Sequence, residues 1–230
     1  MRIEGKKTLV LGAGKSGVES ARFLAEHGAV VALHDKKEVD SWPENARSLK
    51  ESHNVGLISG QVPSWLLDQI DLVVISPGVP TNTIPARYVD RKDGEVIGEV
   101  ELAYRFMKGR IAGITGSNGK TTTTTLIGEL LKNAGITTQV GGNIGTPLLS
   151  LAEGSTDDTW TVVELSSFQL ETIKEFRPNV ALCLNVTPNH LDHYDSFIDY
   201  AAAKHRIFMN QTADDVAVLN ADDDITAAWE

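Results

Sequence analysis

The sequence predicts an α/β protein made of two parallel sheets with crossover helices. Two observations carry that expectation. Short apolar runs alternate with helix-period stripes along the chain. Two of those runs open straight into small-residue loops, Gly12 to Gly17 and Gly116 to Gly119, and each loop leads into a helical pattern. The 230 residues are 41% hydrophobic and 23% charged, an ordinary composition for a soluble globular protein. That length suits one large domain or two smaller ones.

The first half begins with a strand, Thr8 to Leu11. Gly12-Ala13-Gly14-Lys15-Ser16-Gly17 follows, then a helix carrying Val18, Ala21, Phe23, Leu24 and Ala25 that ends near Gly28. The next strand, Val30 to Leu33, closes on His34 and Asp35. This is a βαβ unit with a G-x-G-x-x-G loop and an acid about 20 residues on, the pattern of a Rossmann-like nucleotide-binding domain. Two further strands are expected at Val55 to Ile58 and Leu72 to Ile75, the second running into Ser76-Pro77-Gly78. Ligands of an open parallel sheet sit at the carboxyl ends of its strands. Gly12 to Gly17, Asp35 and Ser76 to Gly78 are therefore expected to converge on one crevice. Asp35 reads either as an acceptor for a ribose or base or as a solvated strand end. The unit closes around Val96 to Gly98, which sets the expected domains at 1–98 and 99–230.

A helix with Val100, Leu102, Ala103 and Phe106 leads into the second half. Candidate strands are Ile111 to Thr115, Thr138 to Val140, Trp160 to Leu165, Val180 to Val186 and Val216 to Leu219, with a polar loop from Glu153 to Thr159. The first of them runs into Gly116-Ser117-Asn118-Gly119-Lys120-Thr121-Thr122, followed by a helical stripe of Leu126, Ile127, Leu130, Leu131 and Ala134. Strand, glycine loop and helix in that order make a phosphate cradle: amides left open at the helix start point at the anion, and the helix dipole favours its charge. Lys120 would reach the outer phosphates, and the Thr121 hydroxyl would hold Mg2+. The strict P-loop pattern wants glycine where Ile114 stands; here Gly113 comes one residue early.

Three further places carry chemistry. Glu164 ends a buried strand, where P-loop proteins place an acid that shares Mg2+ with the phosphates. Ser166, Ser167 and Gln169 follow, as substrate ligands or as helix caps. His190 and His193 flank Asp192 at a spacing that metal sites use, but no cysteines or further clustered histidines complete a zinc set. One imidazole assisting Mg2+ or a substrate is the simpler expectation. A helix from Ser196 to Met209 carries Phe197, Tyr200, Ala201, Ile207 and Phe208 on one face, and Lys204 falls on that same stripe. An inward lysine must snorkel, pair or be modified.

The net charge of -10 argues against a nucleic-acid surface. Cys183, the only cysteine, sits in an apolar run and is expected to be buried and inert. No apolar run is long enough to span a bilayer and no signal peptide is visible, so the cytoplasm and no membrane partner are expected.

Together these residues resemble the Mur ligases of peptidoglycan synthesis. The motifs are Thr115-Gly-Ser-Asn-Gly-Lys-Thr121, Gly141-Gly-Asn-Ile-Gly145, Glu164-Leu-Ser-Ser-Phe-Gln169, Asn185-Val-Thr-Pro-Asn-His190-Leu-Asp and Ala202-Ala-Lys204-His-Arg206. The Glu-Leu-Ser-Ser-Phe-Gln run points within that family to the members that add D-glutamate to UDP-N-acetylmuramoyl-L-alanine. The resemblance implies that Gly116 to Thr122 bind ATP, and that Gly14, Lys15, Ser16, Asp35, Lys36, Ser76 and Gly78 hold UDP. It implies that Asn143, Ser166, Gln169 and His190 line the muramoyl-peptide site. It also implies two Mg2+ sites, one on Thr121 and Glu164, the other on His190 and a carbamylated Lys204. Lys120, Glu164, His190 and Lys204 would then be the catalytic set, acting through an acyl phosphate in a monomer. The family has a third, carboxyl-terminal domain, and this sequence stops at Glu230. The expectation is a truncated central domain that binds ligands but ligates weakly or not at all by itself. The glycine loop and Asp35 also fit an NAD(P)-dependent oxidoreductase, which leaves Lys120, Glu164 and His190 without a role, and a non-catalytic nucleotide-binding module is a further alternative.

Overall fold

Short buried strands rich in Val, Ile and Leu, separated by helical stretches, build two parallel sheets with helices on their faces, as the alternating pattern requires. The computed structural model describes residues 1–80, 83, 84, 88, 94–189 and 193–229. The chain divides into two compact units, Met1–Leu102 and Ala103–Glu230.

In the first unit the order is β1 (Lys7–Leu11), α1 (Lys15–Glu26), β2 (Val30–Asp35), α2 (Glu44–Arg47), α3 (Leu49–Ser52), β3 (Gly56–Ser59), α4 (Ser64–Leu67), β4 (Leu72–Ile75) and β5 (Glu95–Gly98), with α5 (Glu99–Tyr104) at its end. The strands lie in the order β3-β2-β1-β4-β5. The chain winds outward from β1 and returns to β4 on its other side, so the switch point falls between β1 and β4. The core is apolar: Leu9, Leu11, Ile70, Val73 and Ile75 pack with Tyr88. On α1 the buried side chains include Val18, Ala21, Phe23 and Leu24, the stripe read from the sequence.

The second unit runs β6 (Arg110–Thr115), α6 (Lys120–Asn133), β7 (Thr138–Gly142), α7 (Leu148–Ala152), β8 (Trp160–Glu164), α8 (Ser167–Leu170), β9 (Val180–Cys183), α9 (Phe197–His205), β10 (Val216–Leu219) and α10 (Asp224–Ala227). Its sheet order is β10-β9-β6-β8-β7, parallel throughout. Four expectations need correction. The α6 stripe is rotated: Ile127 and Leu131 pack on the sheet as expected, but Leu126 and Leu130 are 56% and 60% exposed, and Thr124 and Gly128 are buried in their place. The reason is Gly128, which lets Val140 of β7 approach so closely that no Cβ would fit there. Strand β7 continues through Gly141 and Gly142, and β9 stops at Cys183. The helix expected from Ser196 to Met209 is α9 followed by a 3₁₀ turn, Arg206–Phe208.

Candidate functional site

The carboxyl ends of β1, β2 and β4 bound a cavity of about 570 Å³. Its floor is apolar, with Leu9, Leu11 and Val73, and Asp35, Lys36 and Gly78 stand at its rim. Of the sequence candidates, Ser76 instead donates its hydroxyl to the Gly12 carbonyl at 3.3 Å, which ties the end of β4 to the glycine loop. Gly14 and Lys15 are exposed and Ser16 is half-buried, in the turn that opens α1.

Asp35 does local work first. Its carboxylate accepts from the Ala13 amide at 2.9 Å and the Lys37 amide at 3.0 Å. Burial works against its charge, but these two amides outweigh burial and hold the carboxyl below the usual carboxylate range. A depressed acid stabilises the fold above its unfolded pKa and stops doing so as pH falls through the folded value. Asp35→Ala is therefore expected to cost about 1–2 kcal/mol at pH 7, with the difference from wild type shrinking in acid. Urea titrations at pH 7 and pH 3 check this; a gap that stays constant would sink the account.

In the second unit the ends of β6, β8 and β9 meet. Gly119, at φ +82°, turns the chain into α6, a conformation that favours glycine. The first intrahelical bond runs from Thr123 N to Gly119 O, so helix geometry leaves the earlier amides of the first turn without a helical acceptor. Lys120 Nζ folds back over the loop and donates to the carbonyls of Gly116 at 2.9 Å and Ser117 at 3.1 Å.

Next to it the Thr121 hydroxyl donates to Glu164 Oε2 at 2.8 Å, and Asn143 Nδ2 donates to Glu164 Oε1 at 2.9 Å. Glu164 is only 2% exposed. Asn143 reaches it because Gly141 and Gly142 extend β7 alongside β8. Hydroxyl and carboxylate oxygens are the donors that a hard divalent cation such as Mg2+ prefers, so this pair fits that ion.

Lys204 points inward and is 2% exposed. Its ammonium donates to the same Gly116 carbonyl, at 2.9 Å, and lies 4.7 Å from the centre of the Tyr200 ring. Burial, then the neighbouring Lys120 charge, pushes it down to about 8. Cys183 is buried and its thiol is pushed up to about 12 by burial, in keeping with an inert packing residue.

Other candidates also have partners within the fold. Ser166 and Gln169 form a capping box on α8: Gln169 N donates to Ser166 Oγ, and Ser166 N donates to Gln169 Oε1. His193 Nε2 lies 3.4 Å from Glu171 and sits edge-on to Phe168. His190 and Asp192 lie outside the described residues. Among the described residues no three His, Cys, Asp or Glu gather as a metal cluster, and no helix is long and apolar enough to cross a membrane. Sequence reading quoted Asn185 as the start of a motif but gave it no role; its side chain meets the loop at Asn118. Its place at the end of a buried strand adjoining β6 was the signal available.

Fold and site define a class: a parallel-sheet unit with a glycine loop after its first strand, joined in one chain to a P-loop unit with an acid on the adjoining strand. The family descriptions agree with that. "Mur ligase MurD-like, N-terminal domain" matches residues 6–98 and "Mur ligase middle domain" matches residues 114–230. The chain belongs to the Mur ligase family. It is 50% identical over 230 residues to the UDP-N-acetylmuramoylalanine–D-glutamate ligase of Solibacter usitatus, covering all of this chain and 50% of that protein. Identity to the ligase of the same name from Acidobacterium capsulatum is 50% over 225 residues, 97% of this chain and 48% of that one. The chain thus spans about half the length of the curated relatives it matches. Among solved structures it resembles the UDP-N-acetylmuramate:L-alanyl-gamma-D-glutamyl-meso-diaminopimelate ligase of Neisseria meningitides, with TM-score 0.62, 17% identity, and 97% and 74% of the two chains covered. A murein peptide ligase of Psychrobacter arcticus gives TM-score 0.58 and 18% identity, covering 97% and 51%. These two likenesses concern the fold.

Proposed function

We propose that this chain carries the substrate- and ATP-binding parts of a ligase of cytoplasmic peptidoglycan precursor synthesis. That ligase joins D-glutamate to UDP-N-acetylmuramoyl-L-alanine through an acyl phosphate. Residues 1–98 would bind the UDP moiety, with Asp35, Lys36 and Gly78 at the cavity rim, and residues 99–230 would bind ATP. For the 230-residue chain taken alone, we propose ligand binding with little or no turnover. The observation that carries this reading is the set of Lys120, Thr121, Glu164 and Asn143 gathered at the open first turn of α6.

In this reading the amides of the first α6 turn and the Lys120 ammonium bind the phosphates and offset their repulsion of the substrate carboxylate. A carboxylate oxygen of the muramoyl substrate attacks the γ-phosphorus and ADP leaves. The D-glutamate amine then attacks the acyl carbon; phosphate leaves and the amine loses a proton. Thr121 and Glu164 would hold one Mg2+, and His190 with a carbamylated Lys204 a second; when bound, the ions supply neutralising charge. Asn143 orients Glu164. Ser166, Gln169 and His190 would line the muramoyl-peptide site.

Carbamylation needs a neutral amine to attack CO2 and release a proton, and the depressed Lys204 supplies one near pH 8. The expected result is a carbamate carbon signal in 13C NMR with labelled bicarbonate, lost in Lys204→Arg. Absence of that signal in wild type would rule the modification out. Of the alternatives, an oxidoreductase is disfavoured because it leaves the Lys120, Thr121, Glu164 and Asn143 set without a role. The functional test titrates ADP, a UDP-sugar and NADH against the chain. It then measures phosphate release with the UDP-muramoyl substrate, D-glutamate and ATP, for this chain and for one extended to its relatives' length. NADH binding without ADP or UDP binding would overturn the proposal.

A further inference from the structure

We infer that Asn185 is a positioning residue that sets the shape of the phosphate loop; the inference rests on the nucleotide-binding reading of that loop. Its carboxamide grips one residue from both sides: Asn118 N donates to Asn185 Oδ1 at 2.9 Å, and Asn185 Nδ2 donates to Asn118 O at 3.1 Å. Asn118 immediately precedes Gly119, the left-handed turn into α6.

The backbone completes the seam. Leu184 N donates to Thr115 O at 3.0 Å and Ser117 N to Asn185 O at 2.9 Å, so the β6–β9 ladder continues past the last strand residues into the loop. Ser117 Oγ donates to Thr187 O at 3.0 Å and accepts from Thr187 N at 2.9 Å.

The segment that grips the loop is itself held from behind. Asn220 Nδ2 donates to Leu184 O at 2.9 Å, and Val186 N donates to Asp223 Oδ2 at 3.0 Å. Asp223 also caps α10 through Thr226 N. The phosphate loop is therefore pressed against a fixed wall, and its shape is set before any ligand arrives.

One chemical consequence is definite. The amides of Ser117 and Asn118 are turned into the seam, so neither is open to a phosphate, and the cradle draws on the first-turn amides of α6. Asn suits residue 185 because it presents an acceptor to the Asn118 amide and a donor to the Asn118 carbonyl. Aspartate would keep the acceptor but set a second anionic oxygen against the Asn118 carbonyl.

The test uses calorimetric titration of the 230-residue chain with Mg2+ and ADP, and separately with UDP. Asn185→Ala is expected to weaken ADP binding about 10-fold or more, the loss of two hydrogen bonds of ordinary net strength. UDP binding stays as in wild type, the melting midpoint falls by a few degrees with the two lost bonds, and amide exchange at Asn118 and Gly119 accelerates. Asn185→Asp is expected to fall at least as far, and it decides the matter if the alanine variant does not fold. Wild-type ADP affinity in either folded variant overturns the assignment, as does an equal loss of ADP and UDP binding. A wild-type chain that binds no ADP overturns the nucleotide reading of the loop, and this inference with it.

Discussion

Lys120→Met is expected to weaken binding of ADP and ATP by this chain at least 100-fold, with binding of a UDP ligand unchanged. The Lys120 ammonium is held over the loop by the Gly116 and Ser117 carbonyls at 2.9 and 3.1 Å. Both partners are neutral acceptors, so the charge itself is not cancelled where it rests. An arriving polyanion would gain charge-assisted hydrogen bonds of about 1.5–3 kcal/mol each. Losing two of them is about 3 kcal/mol or more, which is a factor above 100. Methionine keeps the length and the packing of the stem, so the fold should survive. The nearby Lys204 cannot take over, because it is buried and bonded to the Gly116 carbonyl from within. Titration calorimetry decides: an unchanged ADP affinity in a folded Lys120→Met chain would remove Lys120 from the site.

Most of what positions the site was legible in the sequence. Apolar strand runs followed at once by glycine loops gave both parallel sheets, because few other arrangements place a glycine-rich turn between a buried strand and a helix. Glu164 was legible for a related reason: an acid ending a continuous apolar strand must either meet solvent or meet a partner, and Thr121 is that partner. Lys204 was legible because it interrupts an apolar helical face, and it is indeed 2% exposed.

Other features depend on tertiary approach, which periodicity does not encode. The outward turn of Leu126 and Leu130 follows from close contact of Gly128 with Val140. Glycine disfavours strand interiors, so an end of β7 at Val140 was the natural expectation. Pairing with β8 carries it through Gly142 and so delivers Asn143 to Glu164. Asp35 shows the same limit. Its place after β2 was readable, but its use as an acceptor for the Ala13 amide depends on how the glycine loop folds back. The Ser166–Gln169 pair was open between capping and binding, and in the structure each side chain is engaged by the other's backbone.

Gly17→Ala is expected to destabilise the first unit by about 3 kcal/mol or more, as for other overpacked sites without room to relax. Gly14→Ala, three residues away in the same loop, is expected to stay within about 1 kcal/mol of wild type. The contrast is geometric. A methyl on Gly17 would drive into the Gly12 carbonyl oxygen and lie 2.8 Å from Ser76 Oγ, whereas nothing stands within 4 Å of one on Gly14. The carbonyl has nowhere to go. Gly12 is already at φ +99°, and its own open side is filled by Val79 and Ser76 at 2.9–3.0 Å. The carbonyl also accepts the Ser76 hydroxyl, so displacing it would break the tie between β4 and the loop. Urea unfolding followed by tryptophan fluorescence, to which the buried Trp42 contributes from this unit, reads both variants. Equal midpoints for the two would show that the loop can relax, and the close packing of α1 onto β1 would then not be what requires glycine at residue 17.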